Sequence, residues 1–196
     1  MNGSGSSPTD RHVSRRTVLL GSAAVSLTAV AGCLGDGDGE APDPMAIEDG
    51  PNCDNCTMPI VDHPGPVGQA FYDDAEELFG EDRPAQFCSS LCTYTHTFDH
   101  EDEYEPLATY ITDYSTVEYE VDSDSETPTI SSHVDADDFA SVNELTLVVG
   151  SEVEGAMGAS MIGFSESDDA DAFQEEYGGD HYDHDDVDHD LVMSLM

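Results

Sequence analysis

Four cysteines carry most of the chemistry open to this chain. They form two close pairs, Cys53-x-x-Cys56 and Cys88-x3-Cys92, with 31 residues between Cys56 and Cys88. The thiolate is the form that binds metal, and a helix start favours it by lowering the thiol pKa. Ser89 and Ser90 are good helix starters, so the second pair is predicted to straddle one. Four thiolates suit a soft or borderline ion. Two disulfides suit the same residues, because the chain opens with an export signal. Composition leaves both readings open. A redox role for the CxxC pair is disfavoured, since no thioredoxin-like βαβ pattern frames Cys53-Asp54-Asn55-Cys56.

Two methionines add soft donors. Cys56 and Met58 are two apart, so in an extended segment their side chains point the same way. Thiolate plus thioether prefers Cu(I) to Zn(II). Met157 sits among small residues in Gly155-Ala156-Met157-Gly158-Ala159, where it packs on nothing obvious. Histidines follow. Cys88, Cys92, His96 and His100 form one stripe if the helix runs that far, and His63 lies close to Met58. His181, His184 and His189 stand among aspartates in the tail. A surface histidine on an acidic helix is usually only solvated. There is no nucleophile elbow, P-loop, GxGxxG after a strand, or HExxH, so no enzyme is expected.

The elements that must position these groups are short. Residues 67–72, 84–87, 108–114, 116–121 and 145–149 read as strands, the last apolar enough to be central. A helix is predicted from Ser167, capped by that serine, with Ala170, Phe173 and Tyr177 on one face and Gly178-Gly179 as its stop. A second starts at Ser89 or Ser90, with Leu91, Thr95 and Phe98 sharing a face. Residues 122–144 begin polar and loop-like, and the tail from Asp180 reads as a loop and then a short helix. A weak echo links residues 67–80 to 161–179, each a strand running into an acidic helix. Cysteine pairs on a turn and on a helix start resemble treble-clef or TRASH-type metal modules.

Charge and the N-terminus bound the setting. The chain has 196 residues, 44 acidic against 4 basic, for a net charge of −40. Arg15-Arg16 precede an uncharged run over 17–30, too short for a bilayer span, which needs ~20 residues. That run ends in Val30-Ala31-Gly32-Cys33, which resembles a lipobox behind a Tat-type signal. Residues 1–32 are therefore expected to be a signal peptide, Cys33 the lipidated residue, and 33–50 a flexible tether. Removing the leader takes three arginines and Asp10, leaving 43 acidic residues, Arg83 alone, and a net charge of −42. Such a chain cannot neutralise nucleic-acid phosphates. It is suited to molar salt, where self-repulsion is screened.

The order of motifs resembles one family. Lipobox Cys33, then CDNCTMPI (53–60), GPVGQAFY (65–72), AMGASMIGF (156–164) and DADAFQEEYGG (169–179) look like NosL, the copper-chaperone lipoproteins of nitrous-oxide reductase. The resemblance covers roughly residues 50–180. It implies an α+β fold of two small related ββαβ-type units, about 51–107 and 108–180; the charge adds the expectation of disordered acidic ends, 181–196 being a His/Asp-rich tail. It implies Cu(I) binding on the outer face of the cytoplasmic membrane and delivery to nitrous-oxide reductase or its copper-loading transporter complex. The family's Cys-Gly-Met is here Cys56-Thr57-Met58, and its later Met-Gly matches Met157-Gly158, ahead of the helix through Asp171, Ala172 and Phe173. Cys53, Cys88 and Cys92 depart from that pattern and leave room for a second, structural site that could take Zn. The alternative is a zinc- or disulfide-stapled TRASH-like surface module for metal sensing, resistance or protein interaction.

The charge makes a testable prediction. Circular dichroism should show structure and melting temperature falling as KCl drops from molar to ~0.1 M, where screening weakens. An unchanged melting temperature across that range contradicts the salt argument.

Overall fold

A β-prone run with a glycine at its start forms the centre of the first sheet. In the computed structural model, which describes residues 41–124 and 126–196, strand β1 is Gly68–Phe71. It pairs antiparallel with β2 (Ala85–Phe87) on one side and β3 (Ala108–Thr112) on the other. β6 (Phe139–Ser141) extends the sheet beyond β3, giving the order β2-β1-β3-β6. A short helix, α1 (Ala75–Phe79), joins β1 to β2. Helix α2 (Ser90–Asp99) follows β2 and crosses close to β1. Gly68 permits that approach, because a Cβ there would collide with Thr93 Oγ1 on α2.

The second sheet is built on a hairpin, β7 (Thr146–Gly155) and β8 (Gly158–Phe164). Its N-terminal half also pairs with β9 (Asp180–Asp183), and its far end meets β5 (Thr129–Ile130), which carries β4 (Val121–Asp122). The two sheets are tied at Asp113↔Gly163, a parallel bridge just past β3. The buried Asp113 carboxylate reinforces it by accepting from the Ser115 and Ser165 N–H groups. Helix α3 (Ser167–Tyr177) covers this sheet with Ala170 and Phe173. Helix α4 (His189–Ser194) packs against α2. Among the described residues no helix is long and apolar enough to cross a membrane.

The mixed α+β class expected from the sequence is the observed one, and both main helices lie where expected. The expected boundary near 107 falls just ahead of β3, which joins the sheet of the first half. Several expectations are corrected. Ser167 opens α3, but Glu166 takes the cap position and no side chain caps the helix. Residues 116–120 are not strand. Tyr119 instead plugs an aromatic cluster, its ring centroid 5.4 Å from Tyr114 and 6.3 Å from Phe173. The region 122–144 holds β5, β6 and two 3-10 turns rather than a plain loop.

Neither described end of the domain is disordered. The short helix expected in the tail is α4, and the stretch ahead of it pairs as β9 rather than looping freely, with Val187 and Val192 as buried anchors. Likewise the end of the expected 33–50 tether is packed. Ile47 is buried, and the wholly buried Gln69 side chain is satisfied by the Met45 N–H and carbonyl at 3.2 and 2.9 Å. Pro42 accepts a hydrogen bond from the Tyr110 hydroxyl. The ordered domain therefore begins ahead of residue 51. The signal peptide, Cys33 and the first part of the tether, residues 33–40, lie outside the described residues.

Candidate metal centre

The first cysteine pair sits on a closed turn. The Cys53 N–H donates to the Met58 carbonyl and the Thr57 N–H to the Cys53 carbonyl, both at 2.8 Å. Asn52 and Pro59 bridge across its base. Closing the turn puts Thr57 in the left-handed region, at φ 66°. A non-glycine residue there costs about 1 kcal/mol, whereas glycine adopts it freely. This is the position at which the Cys-Gly-Met pattern has its glycine.

Asp54 fastens that turn to the strand leading to the second pair. Its N–H donates to the Gln86 carbonyl at 2.9 Å, and its Oδ2 accepts from the Gln86 N–H at 2.7 Å. Both terminal nitrogens of Arg83 reach the same carboxylate at 2.8 Å, one to each oxygen. Arg83 also bonds the Pro84 carbonyl and lies over the Phe79 ring. Two residues past Gln86 comes Cys88, then the cap Ser89, whose Oγ accepts from the Cys92 N–H at 3.0 Å. The expected helix start thus places Cys92 in the first turn of α2.

The two pairs converge. All four Sγ atoms lie within 4.8 Å of one another, the one such group of ligating side chains among the described residues. Cys56 and Cys88 are 3.4 Å apart and Cys88 and Cys92 3.8 Å, all as free thiols. Four sulfurs around a tetrahedral ion at ~2.3 Å stand about 3.8 Å apart, so the spacing suits a single ion. Cys53, Cys88 and Cys92 are buried, and Cys56 is half-buried. Electrostatics divides them. Cys53 is held far below the ordinary thiol range, chiefly because the Cys88 and Cys92 thiols hydrogen-bond to it, against the effect of burial. For the same first reason Cys88 is driven far up and Cys92 pushed up to about 12. Like charges at this spacing exclude one another, so the four thiols do not all ionise without a cation among them.

The other expected donors are spread out. Met58 is half-buried in the turn, and its main chain closes it. Met157, 37% exposed, is at the tip of the β7–β8 hairpin. A Cβ at Gly155 would collide with the Gly65 carbonyl, so this hairpin abuts the segment that follows the first cysteine pair. The neighbouring Ala156 packs on the apolar cluster that includes Cys53, Cys88 and Cys92. His63 is half-buried and joins no ligand group. The tail histidines go to separate partners: His181 to Asp171, His184 to the Tyr94 hydroxyl, and His189 to Asp99. The role of Arg83 and Asp54 was missed, although one arginine surviving in so acidic a chain was a signal.

The NosL family matches residues 44–192, about three-quarters of the chain. The chain belongs to the NosL family. It is 31% identical over 137 residues to the copper-binding lipoprotein NosL of Stutzerimonas stutzeri, a match covering 70% of this chain and 62% of that protein. The chain thus spans less than two thirds of that relative's length. The crystal structure of the copper chaperone NosL from Shewanella denitrificans superposes with a TM-score of 0.57 at 28% identity, over 74% of this chain and 96% of that one. These NosL relatives are named for binding and carrying copper rather than for a reaction.

The Asp54–Arg83 clamp predicts a measurable coupling. Arg83→Gln should cost about 1–2 kcal/mol of stability in molar salt, the loss of a charged hydrogen-bond pair at a partly exposed site. It should also lower metal affinity ~10-fold, as loss of a group orienting the ligands does. Melting curves and a chelator competition measure both, and an unchanged affinity refutes the positioning role.

Proposed function

We propose that the chain is a copper chaperone anchored by a lipid on Cys33 to the outer face of the cytoplasmic membrane. It binds Cu(I) as cargo and passes it to nitrous-oxide reductase, directly or through the copper-loading transporter complex. The observation that carries this reading is the group of four free thiols within 4.8 Å, in a NosL-family chain whose relatives are named for copper. Soft sulfur donors select Cu(I) over the hard ions that the carboxylate surface attracts. Cys56 is the least buried of the four and leads directly to Met58, so this edge is where cargo enters and leaves. Met157, on the hairpin that abuts the next segment, supplies the second thioether.

A second reading has its own support. Three of the four thiols are buried, and a closed tetrahedral sulfur site is the usual form of structural zinc. On that reading the four thiols staple the fold around zinc and are not copper ligands.

A competition titration against a Cu(I) chelator, anaerobic and in molar salt, tests the assignment. Cys56→Ser should lower Cu(I) affinity at least 100-fold, and Met58→Leu and Met157→Leu should each lower it several-fold. If both methionine variants match the wild type while Cys88→Ser or Cys92→Ser abolishes binding, the thioethers are not ligands and the metal belongs to the four thiols alone. Retained affinity in Cys56→Ser removes the proposed site.

The anchor has a separate test. Cys33→Ser should leave the chain unprocessed or released from membranes. Unchanged membrane abundance and mass in that variant would show that Cys33 carries no lipid.

A further inference from the structure

The stripe that begins with Cys88 and Cys92 continues along α2 to His96 and His100, one turn at a time. These two rings are not part of the thiol group, yet they meet each other, with centroids 4.7 Å apart. His96 is 94% buried, and its Nε2 has no hydrogen-bond partner. The Tyr72 hydroxyl, also buried and without a partner, belongs to a ring 6.2 Å from His96. Two orphaned polar atoms thus share one aromatic box, closed by Phe87 at 5.1 Å from the His96 ring and Tyr104 at 6.5 Å. A buried polar group left unpaired is costly, and one such nitrogen in a box beside a second imidazole marks a place for a ligand.

The second imidazole is held as a metal ligand is held. His100 Nδ1 lies 3.4 Å from Glu103 Oε2, and Tyr104 stacks on the ring at 5.0 Å and 16°. A carboxylate beside Nδ1 favours the tautomer whose Nε2 lone pair is free to coordinate. His96, neutral because burial and then the neighbouring His100 oppose its protonation, keeps its lone pair. Imidazoles at i and i+4 on one helix face are a spacing that chelates an ion. His100 is partly open to solvent, with a side-chain exposure of 37%, which provides access.

We propose that His96 and His100 form a second metal site, separate from the thiols, that takes a borderline ion such as Zn(II) or Cu(II) through their Nε2 atoms. The site lies one helical turn beyond Cys92. It holds an ion that prefers nitrogen where the thiols hold one that prefers sulfur.

The test uses the full chain, nitrogen-15 labelled, anaerobic and in molar KCl. One equivalent of Zn(II) is added, then a second, while long-range proton–nitrogen spectra follow the imidazole nitrogens. The expected result is that the Nε2 resonances of His96 and His100 move together and saturate with the second equivalent. His100→Gln, at a partly exposed position, should weaken that second binding at least tenfold and leave the first within twofold. Ring nitrogens that stay put through both equivalents overturn the site and assign the orphaned atoms to bound water. So does a His100→Gln chain whose second binding is within twofold of wild type, which places the second ion on carboxylates. The ring nitrogens report on this pair whether or not the first ion sits on the thiols, so failure of the copper assignment and failure of this site read differently.

Discussion

One contact decides whether two cysteine pairs 31 residues apart become one site. Arg83 is the only lysine or arginine beyond residue 16, and it grips Asp54 with two nitrogens at 2.8 Å. Asp54 in turn exchanges two hydrogen bonds with Gln86, so the turn bearing Cys53 and Cys56 is laid along β2. From there the placement runs by short steps. Gln86 pairs with Gln69 on β1, Gly68 lets α2 close on β1 at Thr93, and the Ser89 cap brings Cys92 round to Cys88. A bidentate, partly buried pair is well chosen for such a chain. At 1 M salt the Debye length is ~3 Å, so the repulsion among distant carboxylates fades while a contact pair persists.

The convergence has an electrostatic consequence. Four thiols within 4.8 Å cannot all ionise without a cation among them. Without a cation the group therefore keeps protons on some of its sulfurs, with Cys53 pushed toward the thiolate and Cys88 and Cys92 toward the thiol. An arriving ion must displace those protons, so metal affinity and proton release are linked. An ion that binds only the assembled group also stabilises the fold that assembles it. The turn, β2 and the start of α2 are therefore both the frame of the site and the part of the molecule that gains most from its occupation.

Much of this was legible in the chain. The cysteine spacing, the Ser89 start, the Gly178 stop and the apolar run in β7 are local signals, and each led to an element in its place. What stayed hidden depends on partners distant in sequence. Tyr119 lies in a run that reads as strand and is instead drawn into the rings of Tyr114, Phe164 and Phe173. The tail reads as a loop and then a short helix, which is α4; what stayed hidden is the pairing of β9 and the burial of Val187 and Val192 beside α2. His96 lay on a visible stripe, yet its burial follows from Tyr72, Phe79 and Phe87, which the stripe does not contain.

The surface and the site make opposite demands on a metal, and the fold keeps them apart by depth. Carboxylates crowd the outside of this acidic chain, and oxygen donors suit hard cations. The sulfurs lie inside, three of them buried, where a hydrated hard ion would have to shed water for donors it does not favour. Selectivity for a soft ion on the proposed function therefore needs no exclusion by size. It follows from placing soft donors under an apolar cover of Ile47, Val67 and Phe87, with Cys56 alone at the edge. On the proposed function the same arrangement sets how cargo leaves: a partner that offers sulfur at the Cys56–Met58 edge meets the least buried of the four thiols first, without opening the core.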